Sequence, residues 1–312
     1  MHKTDRRTFV KAGLAIGAVG VVQSTGFGRV FAAAATRPDL VAVKGADAFA
    51  NTIRAMDALG GMKRFVAKGN RVGLLVNAPP HWRLEGSHTR MEVVLAIAKM
   101  CLDAGAKEIV TLPALAPKFW TGSLLAETHA KVIKSIQACS GKTVETKIPK
   151  GVLLKSGKVR PELLDVDVLV NLPIAKHHMG TQFSGSLKNM MGGLDSTTNA
   201  FFHSGSGKAD YKADYEDVDF LSQCIADLNT LRKQDLCVAD ATVVLGSNGP
   251  AGPGDLLKPQ KVVVGTDPVA LDAYCVTLHG RKPREVLMLS KSASTGVGRV
   301  DFQSLNVQEI AL

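Results

Sequence analysis

Residues 166–194 read VDVLVNLPIAKHHMGTQFSGSLKNMMGGL, and the rest of the chain is organised around them. The apolar run Val166–Val170 has the length and composition of a buried strand. Pro173 ends this strand, and the loop that follows carries Lys176–Met179, with one lysine and two adjacent histidines. A Gly/Ser-rich passage leads to Lys188–Asn189, which we expect in the first turn of a short helix. Cationic donors, imidazoles and a helix start thus meet beyond a strand end, where open α/β sheets hold their ligands.

Strand-like and helix-like segments alternate along the rest of the chain. The predicted strands are Leu40–Lys44, Arg71–Val76, Ile109–Leu112, Leu236–Leu245 and Val262–Gly265. The predicted helices are Ala46–Leu59, a helix opened by a capping box of Thr89 and Glu92, Leu124–Ala138, Tyr215–Leu231 and a helix capped by Asp267. This alternation predicts an α/β fold with a mainly parallel, Rossmann-like sheet and helices on both faces. Neither repeats nor a low-complexity linker divides residues 36–312, so we expect a single domain.

The first 35 residues are expected to be a targeting segment and no part of the fold. Asp5–Lys11 reads DRRTFVK, a twin-arginine pattern, and a Gly/Ala-rich apolar core follows at Ala12–Val22. Ala32–Ala35 offers small-residue cleavage sites. Together these features predict a twin-arginine signal peptide at residues 1–35 and localisation in the periplasm.

Composition and charge limit the kinds of molecule that the chain is expected to bind. The formal net charge is +10, and residues 1–35 hold five basic and one acidic side chain, which leaves +6 on the remainder. No Lys/Arg run exceeds two residues and aromatic residues make up 5%, so a nucleic-acid partner is not expected. A basic surface suits a small anionic ligand or an anionic membrane face. No apolar run after the N-terminal segment is long enough to span a bilayer, so the processed chain is not expected to be an integral membrane protein.

The loop after the central strand supplies the predicted catalytic residues. Lys176 and Lys188 are cationic donors for an anionic substrate, and His178 is either a metal ligand or a proton-transfer group. Adjacent histidines rarely bind one ion, because alternate side chains diverge, so His177 is expected to support His178. A solvated polar loop is the alternative interpretation. The position between a strand end and a helix start favours a site.

Further polar residues are predicted to line the same site. Ser186 lies at the start of the short helix, where backbone N–H groups can hold a phosphate or carboxylate, although an ordinary helix cap would have the same sequence. Asp240 lies within an apolar segment, where a carboxylate needs a partner, and Asp272 in an apolar helix is expected to pair with a lysine or arginine. The predicted ligand-binding set is Asn77, Ser186, Asn189, Asp240 and Asn248. A divalent metal ion would be held by His178, His203 and Asp240.

At these residues the chain resembles the bacterial and archaeal family called domain of unknown function 362. The matching blocks are Asn171-Leu-Pro, Lys176, His178, Leu187-Lys188-Asn189, Asp240, Asn248-Gly249-Pro250 and Asp267-Pro268-Val269-Ala270 with Asp272. The resemblance covers about Val41 to Val307, and one departure is Leu75, where members often carry lysine. Many members also carry a ferredoxin module with clustered cysteines, which this chain lacks, so no iron–sulfur cluster is implied. The family implies an α/β fold and no established reaction.

Two functions remain open from the sequence. The first is a metal- or anion-dependent enzyme that acts on a small anionic ligand at the site of Lys176, His178 and Lys188. The second is a non-catalytic periplasmic protein that carries a metal or cofactor to a redox partner, or helps to mature one. The sulfur and imidazole groups of His177–Met179 and Met190–Met191 would suit a soft metal such as copper in that case. The sequence favours the enzyme, with the binding protein as the alternative.

Overall fold

A computed structural model describes residues 37–79, 84–121, 123–204 and 217–312. Residues 36–312 form one compact unit. The predicted signal peptide lies outside the described residues, so export remains a prediction. No helix among the described residues is long and apolar enough to cross a membrane.

The centre of the molecule is a mixed sheet of eight strands. The strands of the chain are β1 (Leu40–Lys44), β2 (Arg71–Val76), β3 (Glu108–Leu112), β4 (Ile136–Ala138), β5 (Val144–Lys147), β6 (Ser156–Val159), β7 (Val168–Leu172), β8 (Leu236–Ala241), β9 (Val244–Leu245), β10 (Leu256–Leu257), β11 (Lys261–Gly265) and β12 (Val307–Ala311). The sheet has the order β12-β1-β11-β8-β7-β2-β3-β4, and β5 with β6 and β9 with β10 form two small antiparallel pairs. Neighbours in the sheet are parallel except β11, which runs antiparallel to β1 and β8.

Helices cover both faces of this sheet. They are α1 (Ala48–Ala58), α2 (Met91–Asp103), α3 (Leu124–Thr128), α4 (Ala130–Ser135), α5 (Pro161–Asp165), α6 (Ser186–Asn189), α7 (Ser196–Ser204), α8 (Val218–Asn229), α9 (Pro268–Thr277) and α10 (Leu287–Ser294). Side chains alternate across a strand, so Leu236 and Val238 of β8 join the core beneath α1 and α2. Cys237 and Ala239 join the opposite core, beneath α8, α9 and α10. This confirms the predicted α/β class, the mainly parallel sheet and the helices on both faces.

Three predicted elements differ from the structure. The predicted helix Leu124–Ala138 is divided into α3, α4 and β4, because Ile136 pairs with Ile109 of β3 at the sheet edge. The predicted capping box does not form, since the Thr89 hydroxyl donates to the Leu172 carbonyl at 2.8 Å and α2 begins at Met91. The predicted strand Leu236–Leu245 is interrupted after β8, where Thr242 bonds to a side chain of the strand itself. The predicted Asp267 cap is confirmed.

The order of strands reverses between β2 and β7. After β2 the chain adds β3 and β4 on one side, and β7 and β8 then lie on the other side. Such a reversal opens a crevice at the C-terminal ends of the two central strands. Asn77 follows β2 directly and the Lys176 loop follows β7, so both lie at this edge.

Candidate functional site

Lys176 joins three loops at the C-terminal edge of the sheet. Its backbone exchanges hydrogen bonds with Ser184 in both directions, at 3.1 and 2.8 Å, which closes the loop after β7 on itself. The side chain is fully buried. Its Nζ donates to the carbonyl of Ser87, in the loop before α2, and to the carbonyl of Pro250 at 2.6 Å, in the loop after β9. The lysine therefore holds together the segments that form the edge of the crevice.

Burial also changes the acid–base chemistry of Lys176. Loss of solvation lowers its pKa to about 6, and the positive charge of Lys188 acts in the same direction. At neutral pH the amine is therefore largely uncharged. A neutral amine has two N–H groups, which match the two carbonyl acceptors, and one lone pair that can take a proton.

His178 is held as a neutral imidazole of defined tautomer. Its side chain is 5% exposed, and Nδ1 accepts hydrogen bonds from the backbone N–H groups of Gly180 at 3.1 Å and Thr181 at 3.4 Å. Burial, followed by the charges of Lys188 and His203, lowers the pKa of His178 well below its usual value. An accepting Nδ1 carries no proton, so the neutral ring has its proton on Nε2, which is a donor. Metal binding through Nε2 would require the other tautomer and loss of both backbone contacts.

The groups whose charges act on His178 are Lys188, His203, Lys176 and His177, and together with His178 they form what we call the Lys/His cluster. Lys188 is half-buried on α6, with Nζ 3.4 Å from the Met191 sulfur. The structure thus brings together the three predicted catalytic residues. The charge of Asp240, the third predicted metal ligand, raises the pKa of a different imidazole, that of His88. No group of three or more His, Cys, Asp or Glu side chains suited to a metal ion occurs in the described part of the chain.

Asp240 is fully buried and is bound by neighbouring protein groups. Its Oδ2 accepts from the Arg90 N–H at 2.8 Å, and its Oδ1 accepts from the Thr242 N–H at 3.0 Å and hydroxyl at 2.6 Å. Burial raises the pKa of Asp240, and these donors oppose the rise. The carboxylate therefore links β8 to the start of α2 beside Lys176.

His88 is a site residue that the sequence did not indicate. Its Nδ1 lies 3.3 Å from the Ser87 hydroxyl, next to the carbonyl that accepts from Lys176. Burial lowers the pKa of His88, whereas the charge of Asp240 raises it. In the sequence His88 is one of two histidines, with His81, in the polar segment between β2 and α2, and the packing of this loop against Lys176 brings it to the site.

A chain of side-chain amides leads from the crevice into the protein. Nδ2 of Asn77 donates to Asn189 Oδ1 at 3.1 Å, and Nδ2 of Asn189 donates to Asn171 Oδ1 at 2.6 Å. Asn171 donates to Gln234 at 2.7 Å, and Gln234 donates to Asn229 at 2.7 Å. All donors point the same way, which leaves the oxygen of Asn77 at the head of this amide chain. That oxygen is buried and has no hydrogen-bond partner within the described ranges.

The predicted anion cradle at the start of α6 is filled by a side chain of the protein. The backbone N–H groups of Ser186 and Leu187 donate to the two carboxylate oxygens of Asp272, at 2.6 and 3.0 Å. A Cβ on Gly185 would lie 2.3 Å from Asp272 Oδ1, so this approach requires glycine. Asp272 therefore bonds to backbone N–H groups, where the sequence analysis expected a lysine or arginine.

Asn248 shapes the loop that covers the histidine pair. It is exposed, has a positive φ of 49°, and its Nδ2 donates to the Pro253 carbonyl at 3.2 Å. The next residue, Gly249, donates to His177 Nδ1 at 3.1 Å and accepts from the Met179 N–H at 3.0 Å. A Cβ on Gly249 would lie 1.8 Å from the His177 carbonyl oxygen. Nδ1 of His177 is thus bound to this loop, while Nδ1 of His178 is bound to the backbone of its own loop.

Comparisons with known proteins place the chain in a family. A thylakoid-associated protein of Synechocystis sp. is 26% identical over 252 residues, which cover 78% of this chain and 73% of the relative. The apoprotein of lactate racemase from Thermoanaerobacterium thermosaccharolyticum matches with a TM-score of 0.41 at 14% identity, over 74% of this chain and 54% of that one. A Thermotoga maritima protein matches with a TM-score of 0.38 at 14% identity, over 80% of this chain and 60% of that one. The chain thus spans less than two thirds of either solved structure. Residues 72–277 match the family described as domain of unknown function (DUF362), and the chain belongs to this family.

Proposed function

We propose that this protein is an enzyme that binds a small anionic substrate in the crevice between β2 and β7 and transfers a proton to or from it. One observation carries the proposal. A buried lysine, Lys176, and a buried imidazole, His178, both have a lowered pKa and lie in one cluster with the cation Lys188. Titratable groups shifted in this way concentrate at functional sites.

The three residues have different roles in this proposal. Lys188 binds the anionic group of the substrate and makes the potential at the site more positive. Lys176 is largely neutral near pH 7, so its lone pair can accept a proton as a general base. His178 donates from Nε2 to an oxygen that gains negative charge, and its fixed tautomer means that no reorganisation is needed at that moment.

The amide chain supports the same proposal. Asn77 lies at the end of β2, and its buried Oδ1 is an acceptor without a hydrogen-bond partner among the described residues. Because leaving a buried acceptor unpaired costs about 1–3 kcal/mol, a substrate hydroxyl or N–H that reaches it would gain affinity. A substrate with both an anionic group and such a donor therefore fits the site best.

A metal-dependent form of the enzyme, and a metal carrier for a periplasmic redox partner, have less support. The metal-dependent enzyme requires His178, His203 and Asp240 to bind one ion, for which His178 would have to change tautomer and lose both backbone hydrogen bonds, while three hydrogen-bond donors already occupy Asp240. The soft-metal carrier would use His177–Met179 with Met190 and Met191, but Met190 and Met191 are buried whereas Met179 is exposed. We therefore assign proton transfer to Lys176, the hydrogen bond to the substrate oxygen to His178 and a structural role to Asp240.

Hydrogen exchange tests the proposal before the reaction is known. The protein is incubated in D2O with a panel of small carboxylates and phosphorylated compounds, and loss of C–H signals is followed by NMR. We expect catalysed exchange with at least one compound, and loss of it in Lys188→Gln and His178→Gln. Lys107→Gln, which removes one exposed lysine elsewhere, is the control. Binding without exchange in the wild type would contradict the enzymatic role, and equal exchange in Lys188→Gln would contradict the site.

A further inference from the structure

A lysine-rich loop between β5 and β6 holds aliphatic side chains in solvent. Residues 142–158 contain five lysines and a single acidic residue, Glu145. Within this loop Val152 is 57% exposed and Leu153 is 39% exposed. Lys150 and Lys155, both exposed, flank this aliphatic pair. The loop therefore combines apolar and cationic surface at one place.

An aromatic side chain from another element extends this surface. Phe201 of α7 is 41% exposed and lines a groove of about 340 Å³ together with Leu153, Lys155 and Lys158. The basic patch, as we call this surface, consists of Lys150, Val152, Leu153, Lys155, Lys158 and Phe201. Glu145 and Asp195 lie beside it, accept hydrogen bonds from Ser156 and from Thr197 and Thr198, and keep their negative charge. The lysines of the patch, Lys150, Lys155 and Lys158, outnumber these two carboxylates. The patch is therefore cationic and partly apolar.

Buried polar groups hold the loop of the basic patch in place. Asp227 of α8 is fully buried, and its Oδ2 accepts from the N–H groups of Leu153 at 2.7 Å and Leu154 at 2.9 Å. The Ile148 N–H donates to the Lys155 carbonyl at 2.9 Å and closes the loop. The exposed aliphatic pair is thus held by a fixed backbone. Binding through it requires little ordering of the chain, which lowers the entropic cost.

We propose that the basic patch docks on the surface of an anionic lipid bilayer. Val152, Leu153 and Phe201 would enter the headgroup region, and the lysines around them would face lipid phosphates. A nucleic acid offers the same phosphates. A nucleic acid has no apolar layer into which the aliphatic pair could insert. Single-stranded nucleic acids are bound by several aromatic residues, and the patch contains one, Phe201. The combination of charge and aliphatic surface therefore favours lipid.

The position of the patch keeps the candidate site accessible. Lys150 lines a second cleft, of about 260 Å³, with Arg232 and Lys233, which precede β8. The basic surface thus continues at the N-terminal end of a parallel strand. Lys176, His178 and Lys188 follow β7 beyond its C-terminal end, at the opposite edge, whereas His203 lies on α7 two residues from Phe201. Docking through the patch would leave the edge with Lys176, His178 and Lys188 open to solvent.

A tryptophan placed in the loop reports docking locally in the full chain. Leu153→Trp is mixed with phosphatidylcholine vesicles that contain or lack phosphatidylglycerol, and the emission of the parent chain, which contains Trp82 and Trp120, is subtracted. We expect a blue shift and quenching by brominated lipid only with the anionic vesicles. Removing two lysines in Lys150→Gln/Lys155→Gln should weaken lipid binding about 25-fold, at about fivefold for each lysine near the surface.

Several results would overturn this inference. The pair Lys63→Gln/Lys107→Gln removes the same charge from another surface, and an equal loss there would show a nonspecific effect of net charge. An unchanged signal in Val152→Asp would show that the aliphatic pair does not enter the bilayer. An equal spectral shift with polyglutamate would indicate an acidic protein partner. Sedimentation as a dimer that Val152→Asp dissociates would show that a second copy covers the patch.

Discussion

Asp272→Asn should gain stability relative to the wild type as the pH rises. The Asp272 carboxyl is fully buried, and burial raises its pKa to about 7 in the folded protein, although two backbone N–H groups oppose the rise. In the unfolded chain an aspartate has a pKa of about 3.9. Between these two values the folded state binds more protons than the unfolded state, so wild-type stability falls as the pH rises toward 7 and is then constant with respect to this group.

The size of the effect follows from the two pKa values. From about pH 5 to pH 7, at 1.36 kcal/mol for each unit, the free energy of unfolding of the wild type should fall by roughly 3 kcal/mol through this group. Asp272→Asn lacks this dependence. At low pH the two proteins should differ little in stability, because the protonated carboxyl of the wild type and the amide of Asn each offer one carbonyl acceptor to the two N–H groups.

Urea unfolding at about pH 5 and pH 8 measures the difference. Asp240 also has a raised pKa, but it is present in both proteins and its contribution cancels. Asp57→Asn, at an exposed position, is the control for the loss of one negative charge. If the wild type instead becomes more stable relative to Asp272→Asn as the pH rises, the two N–H groups stabilise the carboxylate more than burial destabilises it. The raised pKa is then wrong.

Three further predictions concern binding, stability and export. Lys188→Gln should lose binding of small carboxylates or phosphates in calorimetry and change the free energy of unfolding by only about 0–1 kcal/mol; a large loss of stability would make Lys188 structural. Asn189→Leu should lower the free energy of unfolding by about 2–5 kcal/mol, because it leaves Asn171 Oδ1 and the Leu75 carbonyl without their donor. Replacing Arg6 and Arg7 with lysines should retain the precursor in the cytoplasm, and an unchanged periplasmic yield in cell fractionation would contradict export.

Local sequence patterns predicted two kinds of feature correctly. These are strands made of one apolar run, and helix caps whose hydrogen-bond partners are adjacent in the chain. The strands Leu40–Lys44 and Arg71–Val76 have the predicted bounds, because apolar runs between polar ends leave little choice of register. Asp267 caps its helix as expected, since the backbone N–H groups that donate to its carboxylate lie two and three residues away. The grouping of Lys176, His178 and Lys188 also followed from one short stretch.

The missed features depend on distant partners. The strand β4 forms only because β3 presents an open edge, and no local pattern distinguishes Ile136–Ala138 from the end of a helix. The partner of Asp272 is the backbone of residues more than eighty positions earlier, which a search for oppositely charged side chains cannot find. Likewise, His88 reaches the site only through the packing of its loop against Lys176. Sequence patterns thus grouped the candidate residues Lys176, His178 and Lys188, and the surroundings that set their protonation states required the structure.

A pH titration by NMR measures the protonation states of Lys176 and His178, on which the proposed proton transfer depends. With lysine and histidine side chains labelled, and signals assigned through Lys176→Gln and His178→Gln, we predict that Lys176 loses its proton near pH 6. We also predict that His178 remains neutral, with its proton on Nε2, across neutral pH. A Lys176 amine that titrates at about 10.4, the ordinary value for lysine, would contradict the proposed general base. A His178 ring with its proton on Nδ1 would contradict the proposed donor and favour a metal ligand.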